Sequence, residues 1–327
     1  MMKKNWCSFL MKIGLIFGMA LLGGCQKLTV LNSHGQVGAE EAFLIKLSLG
    51  LMLIVVLPVF VMVIWFSIRY RASNKKATYK PYWAHSSAIE WVVWLVPIAI
   101  VCVLGYLTWV KTHELDPYKP LQSKNKTVRV EVISTDWNWL FIYPDEHVAS
   151  VNELVFPENT PVSFHLTSAS VMTSFFIPQL GSQMYAMAGM RTQLNLMADT
   201  VGVYDGKNIE YSGNGYATMH FKALSMSPGD FEAWLKRASQ SDKVLNEAAF
   251  EQLRKPQINY PVTLFSNVTP GLFNHILHEF MGWMGGSGSK EMIMDQEHSL
   301  MNHDDHHPNH SMEMPTPMND KNNKEEK

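Results

Sequence analysis

The sequence predicts a two-helix transmembrane hairpin followed by an all-β sandwich or barrel with C-terminal helices. Two apolar runs without a charged residue, 47–68 and 91–110, predict the hairpin. Short segments punctuated by Gly and Pro, between Thr127 and Leu224, predict a β-domain of about 100 residues. The formal net charge of −2 argues against a nucleic-acid-binding protein, because such domains are strongly basic.

The N-terminus predicts a lipoprotein signal peptide. Lys3 and Lys4 give a positive start, and the apolar run 13–22 is too short to span a bilayer. The run ends in Leu22-Gly23-Gly24-Cys25, which resembles a lipobox. That motif implies cleavage before Cys25 and acylation of this cysteine, with palmitate as an expected chain. The alternative is an ordinary signal peptide that contains a cysteine by chance.

The two longer apolar runs predict membrane spans. Each is long enough to cross a hydrocarbon core of about 30 Å, and membrane helices tolerate the internal Pro58 and Pro97. Trp91 and Trp109 lie at the ends of the second run, where aromatic belts form. Buried helices of a soluble protein are the alternative.

The charges between the spans predict their orientation. The connecting loop lacks Asp and Glu before Glu90, and its basic residues are Arg69, Arg71, Lys75, Lys76 and Lys80. The positive-inside rule places this loop in the cytoplasm, so Cys25 and everything after Lys111 lie outside. Because Cys7 leaves with the signal and Cys102 lies in a span, the exported domain has no cysteine.

The exported part divides into a strand-rich region and a helical one. Period-two alternation over 127–133 predicts the first strand, and further strands are predicted at 137–143, 151–156, 161–167, 173–177, 192–197 and 216–224. Ser227 followed by Pro228 predicts a helix start, and a second helix is predicted over about 242–253. The aromatic stretch 259–284 is expected to pack against another part of the protein.

The C-terminal tail is rich in His, Met and charge and poor in aromatic residues, which predicts disorder. Its imidazole and thioether groups suit copper, although a solvated tail without metal is the favoured interpretation.

These observations divide the chain into the following parts: 1–24 lipoprotein-type signal peptide, 25–42 periplasmic N-terminal segment, 43–68 transmembrane helix 1, 69–86 basic cytoplasmic loop, 87–111 transmembrane helix 2, 117–226 periplasmic β-domain, 227–284 C-terminal helical extension, and 285–327 disordered His/Met-rich tail.

Four stretches occur in an order that resembles subunit II of the haem–copper respiratory oxidases. They are residues 85–97 at the start of the second span, Asp136-Trp137-Asn138-Trp139, residues 170–190, and residues 209–221. The resemblance covers about residues 25–284 and implies a cupredoxin-like sandwich. In the cytochrome c oxidases of this family, that sandwich carries a dinuclear copper centre.

The resemblance also assigns where the copper ligands of those relatives would fall. The positions, in the order His, Cys, Cys, His and Met, are Thr173, Tyr211, Gly215, Met219 and Lys222. A shift of one residue would bring His220 to the second His position, but no shift can supply a cysteine. Bridging thiolates cannot be replaced by neighbouring residues, so the sequence excludes this type of copper, and no metal is expected here.

The branch of the family without this copper centre oxidises quinol, and the chain resembles subunit II of the cytochrome bo-type ubiquinol oxidases. That resemblance implies a proton-pumping complex of the bacterial inner membrane that oxidises ubiquinol and reduces dioxygen to water. Haems and catalytic copper are expected in the large subunit I, the main partner beside smaller membrane subunits and lipid. This chain is then an assembly subunit without a redox centre, not catalytic alone. The alternative is a lipid-anchored copper-binding or copper-delivery protein that uses the His/Met tail.

Glu90 is the candidate functional residue of this chain, since an ionisable group at the membrane edge is a functional hypothesis by default. In the resembled family, the Glu at this place lies near the cytoplasmic mouth of a proton-uptake channel in the large subunit. Ser87-Ala88-Ile89-Glu90 also fits a capping box, so helix capping is the competing role. Trp137 and Trp139, two residues apart, are expected on one face of a strand, packed against the core or the large subunit.

Overall fold

The computed structural model describes residues 28–75, 78 and 82–284. The signal peptide, Cys25 and the His/Met tail of the sequence analysis lie outside these residues. The helices are α1 Gln36–Arg69, α2 Ser87–Glu114, α3 Pro228–Ser239, α4 Glu247–Arg254 and α5 Leu272–Met284. The strands are β1 Val128–Ser134, β2 Trp139–Tyr143, β3 Val148–Val151, β4 Glu153–Pro157, β5 Val162–Ser168, β6 Thr173–Ile177, β7 Gly181–Ala186, β8 Thr192–Leu196, β9 Gly202–Asn208, β10 His220–Met226, β11 Val244–Leu245, β12 Thr263–Phe265 and β13 Asn267–Val268.

Helices α1 and α2 are long and apolar enough to cross a membrane, and the most apolar window of each is unburied within the chain. Helix α1 begins at Gln36, ahead of the start expected at residue 43. The apolar run alone could not predict this extra length, because Glu40 and Glu41 interrupt it. The first turns of α1 nevertheless stay helical, since Val37 and Gly38 are buried and lie against residues 179–181 of the β-domain.

The β-domain is a cupredoxin-like sandwich of two sheets. One sheet has the strand order β12-β3-β2-β1-β5-β8 and the other has the order β4-β10-β9-β6-β7. Neighbours pair antiparallel except β1 with β5 and β4 with β10, which are parallel. Aromatic side chains fill the space between the sheets, where the rings of Phe175 and Phe221 stack 5.1 Å apart and Trp139 meets both edge-on.

The C-terminal extension closes two surfaces of the sandwich. Ser227 caps α3 by accepting a hydrogen bond from Asp230 N–H, which confirms the predicted helix start. Phe231 and Trp234 of α3 then join the main core. The second helix begins later than predicted, at Glu247, because β11 is used instead to pair with β13. The extension also contains strands, and β12 joins the larger sheet, so it is not purely helical.

A second apolar cluster forms where the extension covers the outer face of the larger sheet. Sheet residues such as Ile133 and Ile142 meet Leu253, Phe265 and Phe273 from the extension. The buried side chains of residues 259–284 therefore pack against the β-domain, as predicted. Burial of this apolar face stabilises the sandwich at roughly 25 cal/mol per Å² removed from water.

The start of α1 is joined to the sandwich by backbone contacts. Gly38 N–H donates to Leu180 O at 3.0 Å, His34 N–H donates to Gln179 O at 2.8 Å, and Asp199 N–H donates to His34 O at 2.8 Å. A Cβ placed on Gly35 would lie only 2.4 Å from Met197 O. The lack of a side chain at Gly35 thus permits α1 to approach the loops of the sandwich this closely.

Candidate functional site

The loop that connects β9 to β10 contains three of the positions that the resemblance assigns to copper ligands, Tyr211, Gly215 and Met219. It contains a short 3₁₀ turn, Tyr216–Thr218, and lies beside the start of β6. Asn208, at the end of β9, is buried and organises the loop with both ends of its amide. Its Oδ1 accepts from the N–H groups of Ser174 (2.8 Å) and Glu210 (3.0 Å), and its Nδ2 donates to Glu210 O (2.7 Å).

Asn208 is not among the candidate residues predicted from the sequence. The available signal was an Asn at a strand end just before a Gly-rich segment, where its side chain can hydrogen-bond the backbone two residues on. That pattern is common in turns and predicts no particular function. Its importance depends on the long-range bond to Ser174, which only the folded chain brings near.

Trp137 fills the space under the loop. Its φ of 71° is left-handed, so it precedes β2 rather than alternating with Trp139 along a strand. Its Nε1 donates to Ser212 O at 2.8 Å, and a Cβ placed on Gly215 would lie 2.1 Å from Trp137 Cδ2. The indole therefore lies directly against the backbone of the loop, at one of the positions assigned to a cysteine ligand.

The other assigned ligand positions have separate environments. Thr173 and Met219 are buried, and Thr173 Oγ1 donates to Ser134 Oγ at 2.7 Å. Tyr211 is 76% exposed. Lys222 is exposed as well and forms an ion pair with Asp205 of the neighbouring strand.

These residues do not fit a dinuclear copper centre. The five positions offer one thioether, one engaged hydroxyl, one exposed phenol and one ion-paired amine, whereas such a centre needs two bridging thiolates and two imidazoles. The alternative imidazole, His220, points to solvent at the start of β10. Within residues 28–75, 78 and 82–284, no group of three or more His, Cys, Asp or Glu side chains is placed to hold a metal ion.

Glu90 lies in the first turn of α2 and is exposed. The N-cap of α2 is Ser86, one residue earlier than the capping box requires, and the Ser86 side chain caps no N–H group. In the part of the chain that the structure describes, the Glu90 carboxylate has no hydrogen-bond or ionic partner. The capping interpretation therefore loses its geometric support, although an acid in the first turn still favours the helix dipole.

A polar cluster lies on the outer face of the larger sheet, around His165 of β5. Arg191 Nε donates to His165 Nδ1 at 3.2 Å, and Glu131 stands beside His165 in the register of β1 and β5. Burial, together with the positive charges of Arg191 and Arg129, lowers the pKa of His165 to about 3. Burial also raises the pKa of Glu131. His165 is therefore a neutral acceptor for Arg191 at ordinary pH.

This arrangement predicts that His165 reduces stability in acid. The unfolded chain takes up a proton near its ordinary pKa of about 6.5 and the folded chain only near 3, so the unfolding free energy contributed by His165 falls as pH decreases between these values. The slope is up to about 1.4 kcal/mol per pH unit. The raised pKa of Glu131 acts in the opposite direction.

The test compares wild type with His165→Gln, whose amide oxygen still accepts from Arg191. Unfolding midpoints are measured in denaturant from about pH 7 to about pH 4. The stability difference, wild type minus variant, is expected to fall towards acid. A difference that does not change with pH would contradict the neutral, buried state of His165.

Comparison with known proteins places the chain among oxidase subunits. Residues 145–225 match the family model of the cytochrome c oxidase subunit II periplasmic domain, and residues 239–284 match the COX aromatic-rich motif. A solved structure, the periplasmic domain of cytochrome oxidase subunit II from Bradyrhizobium japonicum, is 21% identical and covers 36% of this chain and 96% of its own, with a TM-score of 0.34.

Curated relatives extend the similarity over most of the chain. The cytochrome bo(3) ubiquinol oxidase subunit 2 of Pseudomonas putida is 50% identical over 84% of this chain and 87% of its own length. The ubiquinol oxidase subunit 2 of Acetobacter aceti is 42% identical over 92% of this chain and 98% of its own. The similarity therefore includes the hairpin, the sandwich and the extension.

Proposed function

Because the chain belongs to the family of cytochrome bo(3)-type ubiquinol oxidase subunit 2, we propose that it is the non-redox second subunit of a proton-pumping ubiquinol oxidase. The complex oxidises ubiquinol, reduces dioxygen to water and belongs to the aerobic respiratory chain. The observation that carries this proposal is the loop at residues 209–219. Trp137 and Asn208 complete this loop where a copper port would need thiolates and imidazoles.

The lack of residues in this chain that could bind a dinuclear copper centre indicates which kind of electron donor the complex uses. A dinuclear copper centre accepts electrons from a soluble donor outside the membrane, and the residues present here cannot hold one. A donor dissolved in the bilayer needs no such port in this chain. Haems and copper then belong to the large subunit, and this chain contributes binding surface and stability.

The hairpin supplies the surface for that role. Apolar side chains of α1 and α2 such as Trp65, Trp91 and Trp94 are exposed in the isolated chain. Inside a bilayer these faces meet lipid or the helices of the large subunit. The proposed location is the bacterial inner membrane, with the β-domain in the periplasm and Cys25 as a lipid anchor.

The experiment is to purify the complex through a tag on this chain and assay two donors. Oxygen consumption is expected with ubiquinol and not with reduced cytochrome c. The chain expressed without its partners should show no oxidase activity and no copper-thiolate absorption after copper loading. Oxidation of cytochrome c, or such absorption, would overturn the proposal. Truncation after Met284 should leave ubiquinol oxidation intact. Loss of ubiquinol oxidation in the truncated chain would favour a function for the His/Met tail.

Glu90 is proposed to assist proton uptake at the cytoplasmic end of α2. Its support is the exposed, unpartnered carboxylate within the described part of the chain. Glu90→Gln is expected to slow turnover, by less than the roughly 100-fold typical of removing a positioned proton-transfer group, because Glu90 acts at the entrance. The measurement is steady-state ubiquinol oxidation together with proton uptake in vesicles. Glu114→Gln, at the other end of the same helix, is the control and should keep wild-type rates. If Glu90→Gln also keeps wild-type rates of ubiquinol oxidation and proton uptake, Glu90 has no role in proton uptake.

A further inference from the structure

An apolar groove of about 560 Å³ lies between the N-terminal segment, α1 and the outer face of the smaller sheet. Residues 28–31 form one wall and Ile45 of α1 contributes to another. The β-domain lines the groove with Phe176, Pro178, Asp205 and Lys207. A volume of this size is within the range of roughly 300–1,000 Å³ seen for small-molecule sites.

The groove adjoins the outer boundary of the membrane. Ile45 is two residues before the charge-free run that begins at Leu47, and the positive-inside argument places this end of α1 outside the cytoplasm. The opposite wall belongs to the β-domain. A hydrocarbon chain can therefore reach the groove from the bilayer without crossing the domain.

The walls of the groove leave apolar surface uncovered. Leu28 is 51% exposed and Ile45 is 45% exposed, although both are large aliphatic residues. Covering such side chains stabilises a structure by roughly 25 cal/mol per Å². A lipid tail is about as apolar as leucine, so moving one from the bilayer into the groove costs little and removes these side chains from water.

We propose that one acyl chain attached to Cys25 occupies this groove. Leu28 already forms part of its wall, and the three residues back to Cys25 span at most about 11 Å. The covalent link gives this chain a high effective concentration at the groove compared with free lipid. The proposal rests on the proposed lipid anchor, and remaining acyl chains on the same cysteine insert into the bilayer.

The test uses cells grown on a fatty acid that carries a photoreactive diazirine and an alkyne tag. The intact complex is purified in native lipid, irradiated and digested, and cross-linked peptides are identified by mass spectrometry. The expected product joins the acylated N-terminal peptide to peptides containing Ile45 or Phe176. Ile45→Asn should reduce this product severalfold, whereas Val203→Asn should not, because Val203 is an exposed apolar residue that does not line the groove.

The remaining outcomes are distinct. If the N-terminal peptide carries no acyl mass, both the proposed lipid anchor and this inference are wrong. The quinol oxidase assignment is tested separately, by the donor assay. An acylated peptide that cross-links only to residues 47–68 or to lipid would overturn the groove and keep the anchor. A groove peptide joined to a phospholipid instead of the N-terminal peptide would replace the proposed occupant by free lipid.

Discussion

Gly35→Ala is expected to lower the stability of the protein by about 1–3 kcal/mol, the usual cost of forcing extra atoms into a close-packed contact. The new methyl group would lie 2.4 Å from Met197 O and 3.2 Å from Leu180 O. Both are backbone atoms, so no side chain can rotate away. The start of α1 must move from the sandwich, which stretches the bonds that Gly38 and His34 make with residues 179–180.

The measurement is the thermal unfolding midpoint of the detergent-purified protein, together with the yield of assembled oxidase. Gly229→Ala is the matched control, because a Cβ at Gly229 meets no other atom within 4 Å. Gly35→Ala should lower both the unfolding midpoint and the yield of assembled oxidase. Gly229→Ala should match the wild-type values or exceed them slightly. Wild-type behaviour of Gly35→Ala would mean that α1 does not contact the sandwich as described.

Trp137→Ala is expected to release the loop of residues 209–219 and to cost towards the lower end of the roughly 3–5 kcal/mol typical of large aromatic truncations. Trp137 is only half-buried, which argues for the lower end. The variant loses both the ring that lies against Gly215 and the hydrogen bond to Ser212 O. The loop should then exchange its backbone hydrogens faster, since fewer contacts hold it closed.

Hydrogen exchange followed by mass spectrometry measures this effect peptide by peptide. Trp137→Phe separates the two contributions, because it keeps a ring but loses the indole N–H, and should cost about 1 kcal/mol for that bond. Tyr211→Ala changes an aromatic residue of the same loop whose ring is exposed, so little change is expected. Equal exchange in wild type and Trp137→Ala would show that other contacts shape the loop.

The hairpin and the β-sandwich could be predicted because their signals are local. A charge-free run indicates a segment that is surrounded by apolar groups along its whole length. A period-two alternation indicates a strand with one buried face along its whole length. The cap at Ser227 is equally local, since donor and acceptor are three residues apart. These features therefore depend little on the rest of the fold.

Other features depend on contacts between distant residues and had no local signal. β7 and β9 were not predicted, because glycines and polar residues dilute their alternation and the ladder, not propensity, holds them. The left-handed Trp137 broke the alternation that was expected to place it with Trp139 on one strand face. The extra turns of α1 depend on burial of Val37 against loops more than 100 residues further along the chain. In the candidate site, ligand positions could be assigned by resemblance, but the role of Asn208 could not.

The way the loop of residues 209–219 is completed also affects how the subunit matures. A loop whose structure is completed by a bound metal depends on metal supply for its final conformation. Here the shaping groups are the Trp137 indole and the Asn208 amide, which are synthesised with the chain. The loop is therefore expected to reach the same conformation in copper-starved and copper-replete cells.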